Sequence, residues 1–159
     1  MQNIAFRRRG AYVAGMHASP PFSSIDEAAI VRLVDAFYAK VRADAVLGPI
    51  FAKAIADNAW PAHLQKMYAF WSSVMLTSGR YKGNPVEVHQ RVAGIQPPLF
   101  GNWLDLFEQT AAELFVPPLA EAFAAKARRI AESLRLALFF RPDKPWPDDL
   151  RLRQPAPCA

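Results

Sequence analysis

The chain has a single cysteine, Cys158, next to the C-terminus. One thiol cannot pair within the chain, so a disulfide framework and a cysteine-rich metal site are both excluded, and a reducing cytoplasm is the expected compartment. Long apolar runs are also missing. No window approaches the roughly 18 uninterrupted apolar residues that a membrane-spanning helix needs, which predicts a soluble protein with no membrane partner. Nor does any segment alternate apolar and polar residues as a half-buried strand would, so the predicted class is all-α.

Acidic residues are absent from residues 1–22, where Arg7, Arg8 and Arg9 give +3. Residues 141–159 hold four bases against three acids, and residues 23–140 hold 12 bases against 11 acids. The net charge of +5 therefore sits largely at the ends, and no basic face for nucleic acid is expected on the folded part. Three regions follow. Residues 1–22 read as a mobile arm, residues 23–140 as one domain, and residues 141–159 as a proline-rich tail. The arginines are not followed by an apolar run long enough for a secretion signal, and Met16 is an alternative start.

What the domain does have is helical periodicity with many aromatics. Ser24-Ile25-Asp26-Glu27 has the form of a capping box that opens a first helix. Its buried face reads Ile30, Leu33, Val34, Phe37, Tyr38, Val41. Gly48-Pro49 then breaks that helix, and the corner delivers Phe51. Asn58 is a candidate cap for the next helix, which carries Trp60, Pro61 and His63. From His63 the spacing Leu64, Met67, Phe70, Trp71, Val74, Met75 describes one buried face, ending at Ser78-Gly79. Pro85 suits the first turn of a short helix that carries His89 and runs to Val92. Pro97-Pro98 and Pro117-Pro118 open two further helices, with stripes through Leu99, Phe100, Trp103, Phe107 and through Phe123, Ile130, Leu134.

Two imidazoles on such apolar helices call for an explanation, because a buried histidine is costly unless its ring nitrogens find partners. A flat apolar cofactor with a metal at its centre supplies one; haem is that cofactor. The same spacing also fits a surface histidine at 89 and a helix-start histidine at 63.

Taken together and in order, Phe37-Tyr38, Leu47-Gly48-Pro49-Ile50-Phe51, His63 with Phe70-Trp71, Tyr81-Lys82-Gly83-Asn84-Pro85 before His89, and Trp103 resemble a truncated haemoglobin, most closely its third group. The likeness spans roughly residues 24–138. This chain has the single Gly48 and Gly79 and, like that group, lacks the glycine pairs of the others. The resemblance implies a two-over-two helical sandwich around haem b, iron protoporphyrin IX. His89 is then the proximal iron ligand. Phe51 stacks on the haem, and Met67, Phe70, Trp71, Val92, Phe100 and Phe107 line its pocket. Tyr38, His63 and Trp103 form the distal side, and Lys66, Tyr81 and Arg91 are candidates for the propionates. The implied function is binding of oxygen, nitric oxide or carbon monoxide by a monomer. A haem enzyme is the alternative, either a peroxidase or a nitric oxide dioxygenase served by an electron-donating reductase. A third reading is a haem-free helical interaction module.

Overall fold

The computed structural model describes residues 21–144. Residues 1–20 of the expected arm, Met16 among them, and residues 145–159 of the tail, with Cys158, lie outside the described residues. Six α-helices follow in order: α1 Glu27–Ala43, α2 Leu47–Ala54, α3 Trp60–Leu76, α4 Pro85–Gln90, α5 Pro97–Leu114 and α6 Pro117–Phe139. Among the described residues, extended pairing is limited to an isolated bridge between Phe22 and Phe115. Phe22 N–H donates to Leu114 O at 2.7 Å, and Val116 N–H donates to Phe22 O at 3.0 Å. The chain entering the domain is therefore fastened to the corner between α5 and α6, although Phe22 was read as part of the arm. No helix among the described residues is long and apolar enough to cross a membrane.

The first helix buries the face its spacing predicts: Ile30, Leu33, Val34, Phe37, Tyr38 and Val41 are all buried. Its cap is different. Asp26, not Ser24, is the N-cap, and Asp26 Oδ1 accepts from Ala29 N–H at 2.8 Å. Glu27, freed from the predicted box, instead accepts from Ser72 Oγ at 2.6 Å and from Arg80 at 2.8 Å. Those contacts hold its carboxyl below the usual range, the serine hydrogen bond most of all. This tie to the end of α3 fixes where α1 begins, and no local pattern reports it. Asp26→Ala is expected to cost about 1 kcal/mol of stability, and Ser24→Ala close to nothing, in urea unfolding; the reverse order would return the cap to Ser24.

Gly48-Pro49 does not form a bare corner. Asp44 Oδ1 accepts from Val46 N–H at 2.9 Å and Leu47 N–H at 2.7 Å, so α2 starts at once and Phe51 lies within it. Gly48 is required by closeness, because a Cβ there would sit 3.0 Å from the carbonyl oxygen of Arg42. Nor does Asn58 cap α3. Residues Asp57–Ala59 form a 3-10 turn, Ala59 is the N-cap with no side-chain bond, and Pro61 takes the first turn. Burial of Trp60 under the Arg42 guanidinium, 4.7 Å from its ring, fixes this start instead. The helix after Pro85 forms as expected, capped by Asn84 Oδ1, but it stops at Gln90 and leaves Val92 in the following turn.

Helices α5 and α6 turn on Phe115-Val116 and share the most extensive helix contact. Helix α1 packs against both α3 and α5, and α4 rests on α6. Phe37, Trp71, Phe107 and Phe123 fill the centre. Each aromatic pair there adds about 0.5–1.5 kcal/mol beyond its buried area.

Candidate functional site

A cavity of about 520 Å³ opens beside this core, bounded by all six helices. The spacing of α3 predicted one buried face, yet only Trp71 of that set is fully buried. Met67 and Phe70 are half-covered because they face the cavity, not another helix. Phe51 from α2, Lys66 from α3, Tyr81 from the loop, Val92 after α4 and Phe100 from α5 line it too. So do Tyr38, His63, Trp103 and His89.

Two expected wall residues are elsewhere. Trp71 and Phe107 do not line the cavity; they stack on each other in the core, with centroids 4.6 Å apart and planes 18° from parallel. Phe107 in turn stacks on Trp103 at 5.3 Å and 11°. The two rings thus back the wall that Trp103 presents. Trp71 follows Phe70 directly, and a rotation of about 100° per residue turns it from the cavity toward α5.

Several wall residues carried no singular signal in the sequence. Ile130 and Leu134 lie on the predicted stripe of α6, where they read as helix packing, and Ile50, Ile55, Val88 and Leu99 likewise read as ordinary apolar positions. Lys53 is a lone lysine with no pattern around it.

His89 is oriented by its own helix. Its Nδ1 lies 2.7 Å from the carbonyl oxygen of Pro85, an acceptor only, so Nδ1 is the protonated nitrogen. In the neutral ring the lone pair is then on Nε2. His63 is packed edge-on against Tyr38, at 5.1 Å and 90°, and against Trp60, at 5.4 Å and 84°. Its Nε2 is buried with no hydrogen-bond partner among the described residues. Burial, with smaller contributions from Lys66 and His89, pushes the His63 pKa down to about 4. The ring is neutral at pH 7. Burial likewise pushes the Tyr38 hydroxyl up, so it remains an O–H donor. That hydroxyl makes no hydrogen bond among the described residues.

Among the described residues, three cations line the cavity, Lys53, Lys66 and Arg91, and no carboxylate does. Arg91 is paired with Glu87, whereas Lys53 and Lys66 have no ion pair among the described residues. The apolar interior thus contains a few unpartnered polar atoms and has two free ammonium groups at its exposed margin. Such a cavity suits a largely apolar guest with an acidic edge and an electron-pair acceptor for Nε2.

A crystal structure of a group III truncated haemoglobin from Campylobacter jejuni superposes with a TM-score of 0.72 at 32% identity, covering 76% of this chain and 96% of that one. The fold is that of a truncated globin. The group 3 truncated haemoglobin ctb of Campylobacter jejuni is 32% identical over 120 residues, which is 74% of this chain and 94% of the relative. No family model matches. The chain belongs to the group III truncated haemoglobins.

Proposed function

We propose that the cavity holds haem b with His89 Nε2 as the residue that would bind its iron, and that the protein binds oxygen and other small diatomic molecules there. The observation that carries this reading is the bond from His89 Nδ1 to Pro85 O, which leaves a correctly protonated, oriented imidazole in an apolar cavity. Among the described residues, no group of three or more His, Cys, Asp or Glu side chains is able to hold a metal ion. A porphyrin would supply the remaining ligands of a metal at His89. The orphaned His63 Nε2 fits the same guest, since a small ligand inside the cavity would give it a partner.

When bound, haem would supply an iron atom able to take a small ligand. The chain supplies the rest. Phe51, Met67, Phe70, Val92 and Phe100 would exclude water from the guest, and Lys53 and Lys66 at the margin would pair with its carboxylates. Tyr38, Trp103 and His63 offer an O–H, an indole N–H and a neutral imidazole to a ligand that carries partial negative charge. Trp103 is held by its stack, and Tyr38 by edge contacts with Phe51 at 6.0 Å and Trp60 at 5.9 Å.

The same three groups favour a second reading, because a ligand held this firmly stays long enough to react. In that reading the protein is a haem enzyme, a peroxidase or a nitric oxide dioxygenase with an electron-donating reductase. The test of the shared premise is an absorption spectrum of purified protein, as isolated and after dithionite and carbon monoxide. A Soret band that shifts with carbon monoxide is expected. Folded protein that stays colourless when supplied with haemin would end both readings.

A further inference from the structure

Between α3 and α4 the chain passes the cavity mouth, and Tyr81 is the residue it contributes to the lining. Tyr81 is held from above and from the side. Its backbone N–H donates to Ser73 Oγ at 2.9 Å, and that hydroxyl donates to Ala69 O at 2.8 Å. Its ring meets Phe70 edge-on, with centroids 5.2 Å apart and planes at 89°.

From below, the ring lies over Gly83. A Cβ built there would be 2.6 Å from Tyr81 Cζ and 3.1 Å from Cε2, and in outright collision with the hydroxyl. Carbon atoms in contact normally sit about 3.5–4.0 Å apart. Gly83 does not lie in the left-handed backbone region, so its conformation suits any residue. Only the tyrosine ring demands a missing side chain. A methyl group at 83 forces that ring to move, and Phe70 blocks it on one side while Ser73 holds its backbone. The remaining escape is rotation away from the seat on Phe70.

We propose that Gly83 is a positioning residue for the cofactor cavity: its bare Cα seats the Tyr81 ring against Phe70 at the mouth and so slows escape of the haem. This inference rests on the haem-binding reading above. It assigns Gly83 no contact with the cofactor, and it makes Tyr81 the side chain through which Gly83 acts.

The test uses the full chain loaded with haemin, as wild type, Gly83→Ala, Tyr81→Ala and the double variant. Haemin transfer to an excess of a colourless acceptor apoglobin is timed, and thermal unfolding of each haem-free form is recorded beside it. Both single variants are expected to release haemin roughly tenfold faster, the scale of one lost aromatic contact. The double variant should release it no faster than Tyr81→Ala, because the two changes act through one ring. Unfolding midpoints of the haem-free forms should fall only slightly and alike in the three variants, since each loses the same half-buried ring contact with Phe70. Wild-type release from Gly83→Ala, multiplying rates in the double variant, or faster release that merely follows a fall in unfolding midpoint would each overturn the proposal. A wild-type chain that takes up no haemin at all would instead overturn the functional reading beneath it.

Discussion

His89→Ala protein supplied with haemin is expected to purify without a normally occupied Soret band, whereas His63→Ala should keep one. Both imidazoles line the same cavity, but only His89 has its Nδ1 held by a backbone acceptor. Partners that merely orient a ligating histidine are worth about 10- to 100-fold in metal affinity, and loss of the ligand itself should weaken haemin binding by more than that. Removing His63 deletes an unpartnered nitrogen and its ring contacts with Tyr38 and Trp60, leaving the Pro85 bond intact. Pigment lost from His63→Ala and retained by His89→Ala would exchange the two assignments.

The second large effect is expected at Tyr38. Phenylalanine there removes one oxygen and preserves the ring that packs against Phe51, Trp60 and His63. A hydrogen bond to a charge-bearing group is worth about 1.5–3 kcal/mol, so oxygen release measured by stopped flow should quicken roughly 10- to 100-fold. The hydroxyl is well placed to matter, because burial keeps it protonated and no described residue occupies it. An unchanged rate would move the donor role to Trp103 or His63. A large change would favour retention of the ligand for reaction over rapid delivery.

The helices were legible where apolar spacing and proline agree. Pro85, Pro97 and Pro117 each open a helix, and the face of α1 is buried residue by residue as its spacing implies. The cavity was legible only through the two imidazoles and the family likeness, because periodicity cannot separate a core face from a cavity wall. Met67 and Trp71 share one stripe of α3, yet one faces the cavity and the other packs on Phe107. The cap at Asp26 was hidden for a related reason. Ser24 and Asp26 are both competent caps, and the choice is made by Glu27 reaching Ser72 and Arg80, 45 and 53 residues away. Lys53 had no pattern to betray it, since a solitary lysine gains meaning only beside the cavity it borders.

The near-parallel pile of Trp103, Phe107 and Trp71 has a mechanical side. Trp103 cannot retreat from an incoming molecule without pushing two more flat plates into tightly filled protein. The wall it forms therefore behaves as a fixed stop. Widening for a bulkier guest falls instead to lining residues that are only half-covered, such as Met67, Ile55 and Ile130.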